Sequence, residues 1–330
     1  MSDKLKIVLT GANGFLGSHL VDRLLKEEVD IHCIVRKSSN LKWLEGKNIT
    51  LHTCGLEDIP AMSEVFENVD YIFHLAGTVA GLKYEDYLYG NVDLTRNVFE
   101  AAFPHAAKIK NIVVTSSLAV GGPSDVQNKL NEADGFNPVS LYGKAKVEQE
   151  KMCGNYSEKL PITIVRPSVI SGEREVELFE FIQTVNQGLV PLVGFGEKYV
   201  GIIHVSDLVE AMYQLALCEK AVGQAYYLSS EEIISWKDLA EICAKKLGKK
   251  PLVLRLPHFV IYLAGALASL AGRMGGKATT FDFEKAKEGV QKAWICDVSK
   301  AKEDFGFRQT VSIREGVEQA IDWYKENKWL

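Results

Sequence analysis

The sequence lacks most of the features that would take a chain of 330 residues away from an ordinary soluble fold. Its six cysteines stand at positions 33, 54, 153, 218, 243 and 296, and no two form a C-x-x-C pair. That spacing excludes the common zinc and redox-dithiol signatures, and reduced, mostly buried thiols are expected. Basic charge is not in excess: 38 Lys and Arg stand against 43 Asp and Glu, a formal charge of -5. A protein built around a broad basic face for nucleic acid is excluded on that balance. The first apolar run, within Lys6–Thr10, is too short for a secretory core, so a cytoplasmic location is expected. The most apolar stretch, Leu256–Gly272, has 17 residues, short of the roughly 20 that span a bilayer. It is expected to form a buried or pocket-lining helix, with peripheral membrane contact as the alternative. Internal repeats and low-complexity tracts are also missing.

What is present is a balanced globular composition, 47% apolar and 25% charged. The length suggests two lobes at roughly 150 residues each and is ample for a core without metal or disulfide staples. Short apolar runs alternate with amphipathic stretches. Lys6–Thr10, Ile31–Val35, Tyr71–Ala76, Asn111–Ser117 and Ile162–Pro167 read as buried strands, and Leu16–Lys26 reads as a helix from its 3.6-residue period. This alternation predicts β-α-β units and a doubly wound parallel sheet of the Rossmann type. After Pro167, glycines 172, 188, 194, 196 and 201 break the chain into shorter elements. The expected division is a dinucleotide-binding domain over residues 1–167, to which 202–230 return, and a smaller, mostly helical substrate lobe over 168–201 and 231–330. Ser206 is the expected N-cap of the helix that follows Ile202–Val205. Ser235 opens another through Leu247, and a last helix runs from about Ile313 to Lys325.

Three groups of residues carry chemistry. Gly11, Gly14 and Gly17 follow a strand and open a helix; such glycines let the backbone approach a pyrophosphate at the positive end of the helix dipole. At the end of the second strand, where NAD-binding folds place a carboxylate, stand Val35, Arg36 and Lys37. A guanidinium there suits a 2′-phosphate, so NADP(H) is favoured, with NAD(H) as the alternative. The third group is Thr115-Ser116-Ser117 at a strand end with Tyr142 and Lys146, one turn apart on a helix. An ammonium beside a phenol lowers the phenol pKa, which makes Tyr142 a proton donor and acceptor, and Ser117 can hold the same substrate oxygen.

Together with His74–Gly77, the run Asn91–Ala102, Arg166–Gly172, Ile202–Leu208 and the late Trp294-Ile-Cys-Asp297, these motifs make the chain resemble the extended short-chain dehydrogenase/reductases, also called the NAD-dependent epimerase/dehydratase family. The resemblance covers essentially the whole chain. It implies that Gly11, Asn13, Gly14, Phe15, Leu16 and Gly17 hold the cofactor diphosphate, and that Leu75, Ala76 and Gly77 line its path. It further implies that Lys146 holds the nicotinamide ribose, that Pro167 faces the nicotinamide, and that Ser117, Tyr142 and Lys146 are catalytic. Leu56 falls at the adenine site, but Cys54-Gly55-Leu56 stands where the family often has Gly-Asp-Leu. The family also implies a homodimer through the helix that bears Tyr142.

Departures from the family narrow the substrate. Leu118-Ala119 follow Ser117 where sugar-nucleotide dehydratases have an Asp-Glu pair. Val169 takes the place of an Asn common in nucleotide-sugar epimerases, and Tyr199–Ile202 lacks their Arg. The stretch after strand two resembles dihydroflavonol reductases, and Leu256–Gly272 is placed like an apolar segment of 3β-hydroxysteroid dehydrogenase-like members. The expected activity is therefore a ketone/secondary-alcohol oxidoreductase acting on a mainly apolar small molecule. A nucleotide-sugar epimerase with tightly bound cofactor is the alternative.

Overall fold

A computed structural model describes residues 4–276, 279 and 281–330. The first half alternates as the apolar runs require: β1 (Leu5–Thr10), α1 (Phe15–Leu24), β2 (Val29–Ile34), β3 (Thr50–His52), α2 (Ile59–Val65) and β4 (Tyr71–His74). Then come α3 (Tyr84–Leu88), a π-helical turn (Tyr89–Asp93), α4 (Leu94–Ala102), β5 (Asn111–Thr115), α5 (Leu141–Gly154) and β6 (Ile162–Pro167). The second half holds β7 (Val169–Ser171), α6 (Glu177–Asn186), β8 (Leu189–Val193), β9 (Tyr199–Val200), β10 (Ile202–His204), α7 (Val205–Leu217) and β11 (Ala225–Leu228). It closes with β12 (Ile234–Ser235), α8 (Trp236–Leu247), β13 (Leu252–Leu256), α9 (His258–Gly275), α10 (Phe283–Gly289), β14 (Ala293–Trp294), α11 (Ser299–Phe305) and α12 (Ile313–Glu326).

Seven strands form one sheet in the order β11-β6-β5-β4-β1-β2-β3, every pairing parallel. The fold is a Rossmann-like α/β sandwich. Its strands are buried on both faces, which is why they read as continuous apolar runs. One face packs Leu20, Leu24, Val209 and Met212 from α1 and α7; the other packs Met62, Phe66, Val98, Phe99 and Met152. The chain leaves β1 toward β2 and β3, then crosses to β4 on the other side of β1. Their carboxyl ends therefore diverge at a topological switch point, where such sheets bind ligands.

The second lobe has its own core, in which Leu178, Ile182, Leu239, Ile321 and Tyr324 pack α6, α8 and α12 together. Ser235 and Ser312 cap α8 and α12 through their hydroxyls. Three local readings change. β10 pairs with β7 in a separate two-stranded sheet, so only α7 and β11 of the 202–230 stretch return to the main sheet. The N-cap of α7 is His204, whose ring accepts from the Ser206 N–H, and Ser206 lies inside the helix. The apolar stretch is helical as α9, but it is not buried: only Ile261, Gly265 and Gly272 are inaccessible.

Candidate active site

The loop between β1 and α1 brings backbone to the switch point. Gly11 has φ +72°, and a Cβ there would sit 2.7 Å from the Ala76 nitrogen; one on Gly17 would lie 2.2 Å from the Gly11 carbonyl oxygen. The loop can thus close only without side chains. Gly14 is the N-cap of α1, its N–H donating to the Gly11 carbonyl at 3.1 Å, and the first turn of α1 holds no acidic residue. Asn13, Phe15 and Leu16 remain partly accessible around this helix end. Leu75 and Ala76 are tied to Thr10, by backbone at 3.2 Å and through the Thr10 hydroxyl at 3.3 Å. The glycine turn and the loop after β4 therefore form one concave wall.

On the other side of β1 the second strand ends at Ile34, and buried Val35 follows it. Arg36 and Lys37 follow, exposed and without an ion pair among the described residues. Leu56 is buried beside the Gly55 turn, its carbonyl accepting from Asn97 at 3.0 Å. Sequence reasoning passed over Glu57. Its carboxylate accepts from the Leu56 N–H at 3.2 Å and from the Tyr89 hydroxyl at 2.9 Å. An acidic side chain thus does lie at this loop, two residues beyond Gly55, where the family's Asp is missing.

The strand end at Thr115 and the first turns of α5 bring the third group together. Ser140 caps α5, accepting from the Gly143 N–H at 3.1 Å, which fixes Tyr142 and Lys146 on one face. Ser117 caps a single 3-10 turn, accepting from the Ala119 N–H at 3.2 Å, and its hydroxyl acts on the Tyr142 phenol. Lys146, only 4% exposed, donates to the Thr115 carbonyl and to Gln149 Oε1, each at 2.9 Å. Burial drives its pKa down to about 8. The phenol behaves differently from the sequence expectation. Burial pushes Tyr142 up to about 12, against a lowering by Ser117, and the Lys146 ammonium lies 6.0 Å from the ring centroid. Lys146 is spent on Thr115 and Gln149, so it does not lower the phenol pKa in this arrangement.

Behind Lys146 runs a buried network that sequence reasoning also missed. Gln149 donates to Thr95 Oγ1 at 2.9 Å, and Thr95 donates to the Asn91 carbonyl at 2.6 Å. His74 Nε2 lies 2.8 Å from Thr95 Oγ1, and His74 Nδ1 lies 2.7 Å from Thr10 Oγ1. Because the Thr95 proton is already committed, His74 donates through Nε2 and accepts from Thr10 at Nδ1. Burial holds this imidazole neutral, with a pKa of about 3. The network joins the glycine turn to Lys146. Asn91 sits in the π-helical turn and donates to the Thr78 and Tyr87 carbonyls, at 2.9 Å each. π-bulges often mark functional positions, but their register is not written in sequence periodicity.

The residues present fit a dinucleotide. A Cβ on Gly77 would stand 2.7 Å from Asn91 Oδ1 and 3.4 Å from Lys146 Nζ, so the diphosphate wall and Lys146 share one cavity edge. Thr115 Oγ1 is buried there without a partner. Pro167 ends β6 one residue before β7 begins. Beside it, Arg166 pairs with Glu150 at 2.6 Å, and Ser116 donates to the same carboxylate at 2.5 Å.

The substrate side is covered by α10. Glu284 accepts from the Leu141 N–H at 2.7 Å and Glu288 from the Ser140 hydroxyl at 2.6 Å. Lys285 pairs with Glu177 at 3.0 Å. With Val79, Ala80 and Tyr87 opposite, about 10 Å³ of free space remains beside Tyr142. Arg174, which could have met a substrate diphosphate, is instead locked to α1 by bonds of 3.0 Å to Ser18 and to Asp22.

The sequence model of the NAD dependent epimerase/dehydratase family matches residues 7–228, two thirds of the chain. A 2-alkyl-3-oxoalkanoate reductase of Shewanella oneidensis is 26% identical, over 94% of this chain and 84% of its own length. A UDP-N-acetyl-alpha-D-glucosaminuronate decarboxylase of Bacillus cytotoxicus is 28% identical, over 98% of each chain. Among solved structures, UDP-glucuronic acid 4-epimerase from Bacillus cereus, in complex with UDP-glucuronic acid and NAD, superposes with a TM-score of 0.79 at 22% identity. That match covers 98% of this chain and 100% of the other.

Proposed function

The chain belongs to the NAD dependent epimerase/dehydratase family, and on that premise we propose that it is an NADP(H)-preferring oxidoreductase. Its substrate is a ketone, or the matching secondary alcohol, on a mainly apolar skeleton. The observation that carries this reading is the locking of Arg174 onto Asp22 and Ser18. Among the described residues it leaves no free cation beside Tyr142 for a diphosphate, while the chain keeps Ser117, Tyr142 and Lys146. The 2-alkyl-3-oxoalkanoate reductase supports the same direction, since its named substrate is a ketone on alkyl chains.

A nicotinamide dinucleotide in the glycine-turn cradle supplies the hydride in reduction and takes it up in oxidation. Ser117 holds the substrate oxygen, and Tyr142 gives its phenolic proton to that oxygen as the carbonyl becomes an alcohol. With its proton gone, Tyr142 becomes an anion, favoured by Ser117 and by the nearby Lys285 charge. Lys146 is kept in place by Thr115 and Gln149, and α10 excludes water from the phenol. Arg36 supports NADP(H) by pairing a 2′-phosphate where Val35 leaves no competing carboxylate. One such charged pair is worth about 1.5–3 kcal/mol, roughly ten- to a hundredfold in affinity. The working unit is a cytoplasmic homodimer through the α5 helix.

Two experiments test this. Fluorescence titration of both reduced cofactors is expected to give tighter NADPH binding, and Arg36→Ala to erase the preference; tighter NADH binding defeats the cofactor assignment. A panel of flavanonols, steroids, aliphatic ketones and UDP- or GDP-sugars is followed by absorbance and by product analysis. Stoichiometric NADPH consumption on the apolar ketones is the expected result. Sugar inversion with no net cofactor turnover would replace the reductase reading with an epimerase.

A further inference from the structure

Between Ile242 and Phe281 the chain has seven Lys and Arg and not one Asp or Glu, in a protein whose net charge is -5. Within that stretch lies α9, uncharged from Phe259 to Gly272. One side of α9 is fixed to α10: Ser269 accepts from the Phe283 N–H at 2.9 Å, Tyr262 meets Phe283 with ring centroids 5.7 Å apart, and Gly265 lies against Asp282 and Ala286. The other side presents Phe259, Leu263, Leu267, Leu270 and Met274, at 70, 57, 59, 56 and 83% exposure. Their spacing of three or four residues makes one stripe along a helix about 27 Å long. β13, which runs into α9 through Pro257, adds exposed Leu252, Val253 and Leu254. Apolar surface of this extent marks an interaction site on a soluble protein.

We propose that α9 docks on a membrane surface rich in anionic lipid, lying in the interface with its stripe among the acyl chains and the cations of the flanking chain on the headgroups. Lys245, Lys249, Lys250 and Arg273 are exposed and without a carboxylate partner among the described residues; Lys246 and Arg255 are held by Asp322 and Glu197. Charge decides the occupant. A second copy brought to this face would set cations against cations with no acid in the stretch to answer them. Anionic headgroups attract each nearby Lys or Arg. The stripe has no polar row with which to register a peptide, whereas acyl chains need none. No helix among the described residues is long and apolar enough to cross a membrane, so α9 lies on the bilayer. Because the side of α9 opposite the stripe is bonded to α10, and α10 covers Tyr142, a docked α9 stands between the lipid and the cover of the site. The docking does not rest on which substrate the site takes.

Co-sedimentation of the full chain with vesicles of phosphatidylglycerol and phosphatidylcholine, against pure phosphatidylcholine, tests it. The expected result is partition onto the anionic vesicles only, weakened by salt. Leu263→Glu with Leu267→Glu is expected to lower that partition at least tenfold, with unchanged circular dichroism and unchanged turnover of a short-chain ketone in solution. Lys249→Glu with Lys250→Glu is expected to lower it by about tenfold or more. Absence of binding to either vesicle overturns the proposal, as does binding that the Leu263/Leu267 variant leaves intact. A dimer that the same variant converts to monomer also overturns it, and assigns the face to a second copy. A chain that binds anionic vesicles but reduces no ketone leaves docking standing and removes the reductase reading instead.

Discussion

Helices α5 and α9 invert each other. α5 is polar by sequence, yet it buries Lys146, Gln149 and Glu150 along with Ala145, Val147 and Met152. α9 is apolar by sequence, yet most of its large side chains face outward. In α5 every buried polar group has a partner: Lys146 has Thr115, Gln149 has Thr95, and Glu150 has Arg166 and Ser116. The cost of taking charge from water is offset there by fixed hydrogen bonds. α9 has partners on one side only. Hydropathy therefore ranks the two helices in the wrong order of burial, and what sets the true order is which groups each helix must hold in place.

The comparison can be broken at several strengths. The largest effect is expected at Tyr142. Tyr142→Phe keeps the ring and removes the proton, so turnover should fall by about 10²-fold or more, with cofactor affinity nearly unchanged in a fluorescence titration. Near-native turnover would remove Tyr142 from the mechanism. Next is Gln149→Leu, an apolar replacement on the polar helix. It strands the Lys146 ammonium and Thr95, and should cost about 1–3 kcal/mol in urea unfolding. A stability gain would show that the α5 network is not what holds the helix.

The pH dependence of cofactor affinity sharpens the same contrast. Lys146, depressed to about 8 by burial, is charged below that pH in the free chain. An anionic ligand favours the charged form, so binding takes up a proton at higher pH. Affinity should then fall by up to tenfold per pH unit above about 8, and Lys146→Met should flatten the profile. The smallest effect is expected on α9. Leu267→Gln, a polar replacement on the apolar helix, should change stability by less than about 0.5 kcal/mol. A loss of several kcal/mol would mean that the stripe is packed against protein.

The sheet was the most legible part of the sequence. β6 spans the whole predicted run Ile162–Pro167, because a strand covered on both faces has no polar alternation to blur it. The glycine turn, Ser117, Tyr142 and Lys146 were legible because each needs a particular residue type at fixed spacing. Glu57, His74 and Asn91 were not read for their roles, since each acts through a partner far off in sequence; His74 meets Thr10 across 64 residues. α10 is a short charged helix whose cover over Tyr142 depends on distant partners: α9 on one side, and Ser140, Leu141 and Glu177 on the other. The exposure of α9 was misread because an apolar count says nothing about how many sides find a neighbour.

The order of the main sheet has a consequence for how the chain is made. β6 is flanked by β5 and by β11, and β11 begins at Ala225, 58 residues after β6 ends at Pro167. On the ribosome, β6 emerges with one side open. At about 5–20 residues per second, that side waits roughly 3–12 s for Ala225–Leu228 to be synthesised. An apolar strand with an unpaired edge is a template for the wrong partner. Translation pauses between Pro167 and Ala225 should therefore lower soluble yield more than pauses of equal length after Leu228.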